Sequence, residues 1–222
     1  MHDMIEDVYE AALHAIEDAT EEDESFIVTF NDQVDLISDF VSDKHRLENA
    51  IRGLRAGGQT ALWDAVAFAL NHTAKGRHRR RLLMVITDGE DNRSELPFRI
   101  SDRAEREEVL IYPVGMMEPM GGVQRWRSGP GGTSTKWELE KFADVTGARA
   151  HFPKDLRECR DAMREIAREV RHQYSIGYYP TNTERDGKWR KIGVAVVPAG
   201  RVSKAVARTR AGYYAPRGSP QS

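Results

Sequence analysis

Apolar residues follow two different periods along the chain. In residues 3–19 they recur at steps of three and four, which predicts an amphipathic helix lying on a core. Residues 26–30 form a short continuous run of β-branched and aromatic side chains, typical of a buried strand. Residues 34–37 follow after a tight turn, so we expect a second strand that pairs antiparallel with the first.

Helices and strands are predicted to alternate as far as residue 173. Residues 82–87 are the most hydrophobic run, which favours a central parallel strand, and residues 109–115 predict a neighbouring strand. Strand–helix alternation indicates a doubly wound α/β fold, a mostly parallel Rossmann-like sheet with helices on both faces. A further helix is predicted to start at a cap formed by Ser42 or Asp43 and to end at 55–58. The remaining predicted elements are helices over 61–73, 101–108, 134–146 and 156–173, and a strand over 148–152.

The pattern changes after residue 173. Extended stretches at 174–179, 191–197 and 206–210 are separated by turn residues and contain no helical period. They predict a small antiparallel β extension. The domain organisation expected is therefore an α/β domain over 1–173, the β extension over 174–216 and a frayed tail over 217–222.

Composition removes several classes of function. Lys and Arg number 33 against 35 Asp and Glu, so there is no overall basic field for nucleic acid. The single cysteine, Cys159, can build neither an intrachain disulfide nor a cysteine-based zinc site. No apolar run reaches the roughly 18 residues expected of a membrane span.

Two polar loops stand where an open α/β sheet binds ligands, at the carboxyl ends of strands. In the first loop, Thr60 offers a hydroxyl beside a predicted helix start. In the second, Asp88 offers a carboxylate where the most apolar strand ends. Such oxygen ligands suit Mg²⁺, Mn²⁺ or Ca²⁺ better than zinc. The alternative is that Thr60 is only a helix N-cap and Asp88 only a turn residue.

Two further carboxylates lie close in sequence. Asp64 follows Thr60 by one helical turn and could orient it, although a capping or solvated role is equally compatible with the pattern. Asp91 could extend a metal site, or it could stand in an exposed turn.

Three segments together resemble the von Willebrand factor type A domain. They are Phe-Ile-Val-Thr-Phe-Asn-Asp at 26–32, Gly-Gly-Gln-Thr-Ala-Leu-Trp-Asp-Ala at 57–65 and Val-Ile-Thr-Asp-Gly-Glu-Asp-Asn at 85–92. The resemblance is closer to a bacterial branch of the family that continues with segments like those at 173–182, 186–192 and 210–216.

The resemblance implies a metal-ion-dependent adhesion site. In the family this site takes an Asp-x-Ser-x-Ser stretch after the first strand, a Thr from a second loop and an Asp from a third. Thr60 and Asp88 match the second and third elements, but no Asp-x-Ser-x-Ser stretch occurs in the sequence. The implied ion is Mg²⁺ or Mn²⁺, and a protein partner commonly supplies a further carboxylate to it.

The missing motif suggests that a strand is missing with it. In relatives a Met commonly follows the motif and precedes a helix like the one that begins here, and Met1 falls at that place. Our hypothesis is that the sequence lacks the central first strand, and that a reading frame continues upstream. Without that strand, the runs at 26–30 and 82–87 would lose their shared neighbour. The alternative is a degenerate domain that starts here.

The function implied is adhesion-type protein binding, not catalysis, by a protein that in its intact form lies outside the cytoplasm. One rival is a Mg²⁺-dependent hydrolase or phosphoryl-transfer enzyme using Asp88 and Asp91. Against it, the sequence has no Gly-x-x-x-x-Gly-Lys-Ser/Thr loop and no recognisable pair of nucleophile and base. A second rival is a metal-independent interaction module that docks through its β extension.

Overall fold

The computed structural model describes residues 2–17, 19–55, 58–87, 91–94, 103–104, 106, 108–116, 119–120, 123–124, 135–174, 176–197 and 207–218. In chain order its helices are α1 (His2–Glu17), α2 (Lys44–Arg52), α3 (Leu62–Thr73), α4 (Thr135–Thr146) and α5 (Leu156–Arg171). Its strands are β1 (Ser25–Phe30), β2 (Val34–Val41), β3 (Arg81–Thr87), β4 (Val109–Gly115), β5 (Pro119–Met120), β6 (Val123–Gln124), β7 (Trp189–Lys191) and β8 (Gly212–Tyr214).

The predicted antiparallel hairpin is confirmed. β1 pairs with β2 in a register that sets Phe30 opposite Val34 and Val28 opposite Leu36. The N–H of Gln33 donates to Asn31 Oδ1 at 2.9 Å and closes the turn between the strands. β2 runs past the predicted end at residue 37 to Val41, because the ladder continues as far as Ser25.

β3 and β4 form the predicted parallel pair, from Arg81 opposite Val109 to Thr87 opposite Gly115. Side chains of β3 alternate between two apolar clusters. Leu83 and Val85 are buried against α3 and α4, and the intervening side chains pack on the opposite cluster with α1 and α5. A strand covered by helices on both faces is the α/β arrangement that the sequence predicts.

Helix α3 is the most buried helix and anchors one face of the fold. Leu62 and Leu70 are fully buried, and the Trp63 ring stacks on Phe142 of α4 at 5.2 Å between centroids. Near its carboxyl end, the buried His72 bonds Asp39 of β2 through Nε2 at 2.8 Å. The backbone N–H of Phe40 and the His72 ring lower the pKa of the Asp39 carboxyl. These contacts fix α3 against the β1–β2 hairpin.

The opposite face is formed by α1 and α5. Ala11 of α1 shares a buried cluster with Cys159, Met163 and Ile166 of α5, which lie on one side of that helix as its apolar period predicts. The one cysteine is thus a core residue. No helix in the described part of the chain combines the length and apolar character needed to cross a bilayer.

Strand pairing differs from a single continuous sheet. Within the described ranges, β1–β2 and β3–β4 are separate two-stranded ladders, and β5–β6 and β7–β8 are two more. No described strand bridges β1 and β3. The fold class is α/β as predicted, but the two principal ladders stand apart.

Two predicted elements between β3 and α5 need comment. The strand expected over 148–152 is reduced to a single parallel bridge between His151 and Val114. The chain turns sharply at Gly147, with φ of +85°, and Pro153 has no N–H to continue a ladder. Half of the helix expected over 101–108 lies outside the described residues, and of the described half Arg103 and Ala104 are helical.

The β extension forms a shorter ladder than expected. β7 pairs antiparallel with β8, whereas the predicted strands at 174–179 and 191–197, and the described part of 206–210, are not in strands beyond Lys191. Aromatic packing stabilises the β7–β8 pair where it forms, since the Trp189 ring meets the Tyr214 ring edge to face at 4.8 Å between centroids. A Cβ at Gly212 would lie 2.5 Å from the Trp189 ring, so glycine permits this crossing.

Truncation of Leu70 tests the α3 core. Leu70→Ala should lower the free energy of unfolding by about 2–5 kcal/mol, because it leaves a cavity in a fully buried position. Urea unfolding measures the change. The matched control is Leu36→Ala on β2, where the side chain is 39% exposed and the expected change is within about 0.5 kcal/mol. Equal losses in the two variants would contradict this core.

Candidate functional site

The amino end of α3 is the meeting point of two loops that follow strands. The N–H of Ala61 donates to the carbonyl of Asn31, just after β1, at 3.0 Å. The N–H of Thr60 donates to Asn92 Oδ1, in the loop after β3, at 2.7 Å. The carboxyl ends of β1 and β3 therefore lie at one edge of the fold, where ligands bind in open α/β sheets.

Two hydrogen bonds join Thr60 to Asn92. Besides the bond from its N–H to Asn92, its carbonyl accepts the N–H of Asn92 at 3.1 Å. The N-cap of α3 is Ala61, so the alternative that Thr60 caps this helix is wrong. Thr60 is the half-buried residue immediately before the cap, fixed through its main chain.

Asp91 caps α3 from a distant part of the chain. Its Oδ2 accepts the N–H of Trp63 at 2.9 Å and the hydroxyl of Ser94, and its Oδ1 accepts the N–H of Ser94 at 3.0 Å. Ala61 has no side-chain oxygen, so the helix takes its acceptor from elsewhere. Both carboxylate oxygens of Asp91 are thus engaged in holding the loop on the helix.

Asp64 lies in the first turn of α3, where a carboxylate complements the helix dipole. Its N–H donates to Ser94 Oγ at 3.0 Å, so the loop after β3 satisfies two successive N–H groups of the helix start. Sequence reasoning gave no role to Asn92 or Ser94. The signal that could have found them is the alanine at the N-cap, which requires a remote acceptor.

The loop before Thr60 is braced by Asp32. The N–H of Gln59 donates to Asp32 Oδ1 at 3.2 Å. Gly58 has φ of +93°, and a Cβ there would lie 2.5 Å from Asp32 Oδ2. Glycine is therefore required both by the backbone conformation and by the close carboxylate. Asp32 is a second positioning residue that sequence reasoning did not identify.

The predicted metal ligands are only partly described. Asp88 lies outside the described residues, between Thr87, which ends β3, and the docked Asp91. The Thr87 carbonyl accepts the N–H of Met116 at 2.8 Å. Where the chain is described, no group of three or more His, Cys, Asp or Glu side chains is arranged to hold a metal.

Comparison with known proteins identifies the family. The model of the von Willebrand factor type A domain matches residues 2–165. A comparison with curated proteins gave no match. Several solved structures are similar in fold.

One is the von Willebrand factor type A protein from Catenulispora acidiphila, at 19% identity and a TM-score of 0.61, with 75% of this chain and 38% of that one covered. Proximal thread matrix protein 1 from the mussel byssus, with a zinc-occupied MIDAS motif, matches at 16% identity and a TM-score of 0.58, covering 75% and 43%. The von Willebrand factor domain of the type V pilus tip protein Mfa5 from Porphyromonas gingivalis matches at 9% identity and 0.56, covering 79% and 91%. The chain thus spans less than half of the first two proteins.

Removal of the remote cap should weaken α3. Asp91→Ala is expected to lower the free energy of unfolding by about 0.5–2 kcal/mol, because the N–H of Trp63 loses its acceptor. Asp91→Asn keeps an acceptor oxygen and should cost clearly less. Urea unfolding in EDTA measures both changes without any contribution from metal. If both variants match the parent protein, Asp91 does not cap the helix.

Proposed function

The chain belongs to the von Willebrand factor type A domain family, and from that premise we propose that it is a protein-binding module whose recognition face is the edge around Thr60. The observation that carries the proposal is the bonding of three loops into one platform. The loop after β1, the loop before α3 and the loop after β3 are joined at Asn31, Thr60 and Asn92. Because the bonded residues are already held in place, binding a partner does not cost the conformational entropy of ordering them.

A divalent cation is proposed at this edge, with Thr60 and Asp88 among its ligands. Asp88 directly follows Thr87, the last residue of β3, and Asp91, three residues further on, accepts the N–H of Trp63 at the start of α3. A hydroxyl and a carboxylate are hard donors that suit Mg²⁺ or Mn²⁺. The mussel protein with a zinc-occupied MIDAS motif supports a divalent ion at such a site.

The proposed cation needs more ligands than Thr60 and Asp88 supply. Hydroxyl and carboxylate ligands from only two residues leave most of an octahedral ion open. In the family the remaining protein ligands come from an Asp-x-Ser-x-Ser loop, and we assign one further position to a carboxylate of the bound protein. Asp64 remains a candidate for orienting Thr60, since it stands in the first turn of the same helix.

The hydrolase alternative is less well supported. It requires Asp91 as a ligand or base, and both oxygens of that carboxylate accept hydrogen bonds that hold the loop on α3.

A metal-independent interaction module is the second candidate. It is favoured by the exposure of Tyr174, Tyr179 and Val197 in the β extension. For the intact protein we propose a place outside the cytoplasm, as for the similar pilus tip protein.

Metal titration tests the proposed site. Calorimetry with Mn²⁺ and Mg²⁺ should show binding to a form extended upstream by a strand and an Asp-x-Ser-x-Ser loop, and little binding to the chain alone. In the extended form, Asp88→Ala should weaken binding at least about 10-fold, since a charged ligand is lost. Asp161→Ala, which removes an exposed carboxylate on α5, should change nothing.

Three results would contradict the site. Absence of binding in both forms would favour the metal-independent module. Tight binding by the chain alone would show that the assigned ligand set is wrong. Mg²⁺-dependent hydrolysis of p-nitrophenyl phosphate, abolished by Asp88→Ala, would favour the enzyme.

A further inference from the structure

The β extension packs on the edge of the fold opposite Thr60. The parallel strands β3 and β4 begin at this edge, and the segment that leads into β4 contains Arg106. The Arg106 guanidinium lies over the Tyr214 ring of β8, at 4.1 Å from its centroid. Arg208 pairs with Glu169, near the carboxyl end of α5, at 3.6 Å. The extension therefore leaves the edge around Thr60 uncovered.

Exposed cations are gathered at this same edge. Arg79 and Arg80 come just before β3 and are exposed. The Arg80 guanidinium donates to the Val170 carbonyl of α5 at 3.4 Å, which brings the end of that helix beside the start of β3. The last turn of α5 carries Arg168 and Arg171, both exposed. Four guanidinium groups from two elements thus share one side of the fold.

The acidic turn that borders these cations is partly neutralised. Glu24 pairs with Arg77 at 3.1 Å, and it accepts the N–H of the same residue at 2.6 Å. The Asp23 carboxylate accepts the N–H and the hydroxyl of Thr20 at 2.7 and 2.9 Å. The other exposed carboxylates at this edge are those of Glu21, Glu22 and Glu108. Together with the exposed Lys75, the four guanidinium groups outnumber them, so the surface keeps a positive charge.

Large apolar side chains protrude directly beside the cations. Tyr174 follows Arg171 by three residues and is 91% exposed, and Tyr179 is 100% exposed. Ile176 between them is also exposed. We call this region the amino-end surface, and it is defined by Arg79, Arg80, Arg168, Arg171, Tyr174, Ile176 and Tyr179.

The combination of groups distinguishes among anionic partners. Nucleic-acid bases can stack on tyrosine rings, but they offer nothing to an aliphatic side chain such as Ile176. An acidic protein would bury aromatic anchors in fitted pockets, whereas Tyr174 and Tyr179 each protrude singly from extended chain. The interface of a bilayer accepts tyrosine and aliphatic side chains separately, and anionic headgroups attract the arginines around them. A lipid surface therefore fits both parts of this region.

We propose that the amino-end surface binds the face of an anionic lipid bilayer. The guanidinium groups meet the headgroup phosphates, and the rings of Tyr174 and Tyr179 enter the interfacial layer. In this orientation the edge around Thr60 points away from the bilayer and stays open to a protein partner. The proposal rests on a different surface from the cation site and does not depend on it.

Vesicle co-sedimentation tests the surface on the full chain, with EDTA present throughout. Vesicles of phosphatidylcholine with about 30% phosphatidylglycerol should bind the protein at least about 10-fold more tightly than vesicles of phosphatidylcholine alone. Raising NaCl from about 0.1 M to about 0.5 M should weaken the binding, because it shortens the Debye length.

A pair of charge-reversal variants locates the binding surface. Arg79→Glu combined with Arg168→Glu should weaken binding to anionic vesicles at least about 10-fold. The matched control is Arg157→Glu with Arg160→Glu, which makes the same change of charge on exposed residues at the other end of α5. The control should bind within about 2-fold of the parent protein, since its charges lie far from the surface. Equal urea midpoints show that both variants fold.

The aromatic contribution is measured separately. Tyr174→Ser with Tyr179→Ser should weaken binding to anionic vesicles about 5-fold or more without changing the net charge. Leu36→Ser, at a partly exposed apolar position on β2, is the control and should leave binding unchanged. Because both tyrosines are almost fully exposed, their replacement does not disturb the core.

Several outcomes would overturn the proposal. No binding to anionic vesicles, or equal binding to neutral ones, would exclude the anionic bilayer as the partner. Equal losses in the two charge-reversal variants would show that the attraction is not located at this surface. Binding of poly-L-glutamate or oligothymidylate in place of vesicles would assign the surface to an acidic protein or to nucleic acid. Because EDTA is present in every arm, failure here is distinct from failure of the proposed cation site.

Discussion

The most buried helix of this protein begins at a residue that cannot cap it, and the architecture of the recognition edge follows from that fact. Ala61 provides no side-chain oxygen, so the N–H of Trp63 takes its acceptor from Asp91, beyond the end of β3. The same contact draws Asn92 onto Thr60. The start of α3 and the residues 91–94 are thereby fixed as one unit, and the proposed recognition edge rests on that unit.

The second constraint acts on β3. Its side chains are shared between two apolar clusters, which places the strand in the middle of the layer, yet its described ladder partner lies on one side alone. Backbone groups in such a position need partners, since an unpaired buried group costs about 1–3 kcal/mol.

Local periodicity was sufficient to predict most of the framework. The β3–β4 pair, the β1–β2 hairpin and the helices from α1 to α5 are found within a few residues of their predicted bounds, because one-sided or two-sided burial leaves its period in the sequence. Long-range bonds leave no such period. The cap from Asp91 to Trp63 joins residues 28 positions apart, and the brace from Asp32 to Gln59 joins residues 27 apart. In the β extension, the packing of Trp189 on Tyr214 determined the strands more than the apolar runs did.

The described acidic residues at this edge accept hydrogen bonds that hold the backbone, which favours binding over catalysis. Asp91 and Asp32 each hold a backbone segment in place, and Asp64 stands in the first turn of α3. A hydrolytic site needs carboxylates that can exchange protons or ligands during the reaction. Carboxylates that hold helix and loop N–H groups are fixed by those bonds, and losing them would loosen the platform itself. The described carboxylates at the edge around Thr60 therefore hold a fixed surface, as the proposed binding function requires.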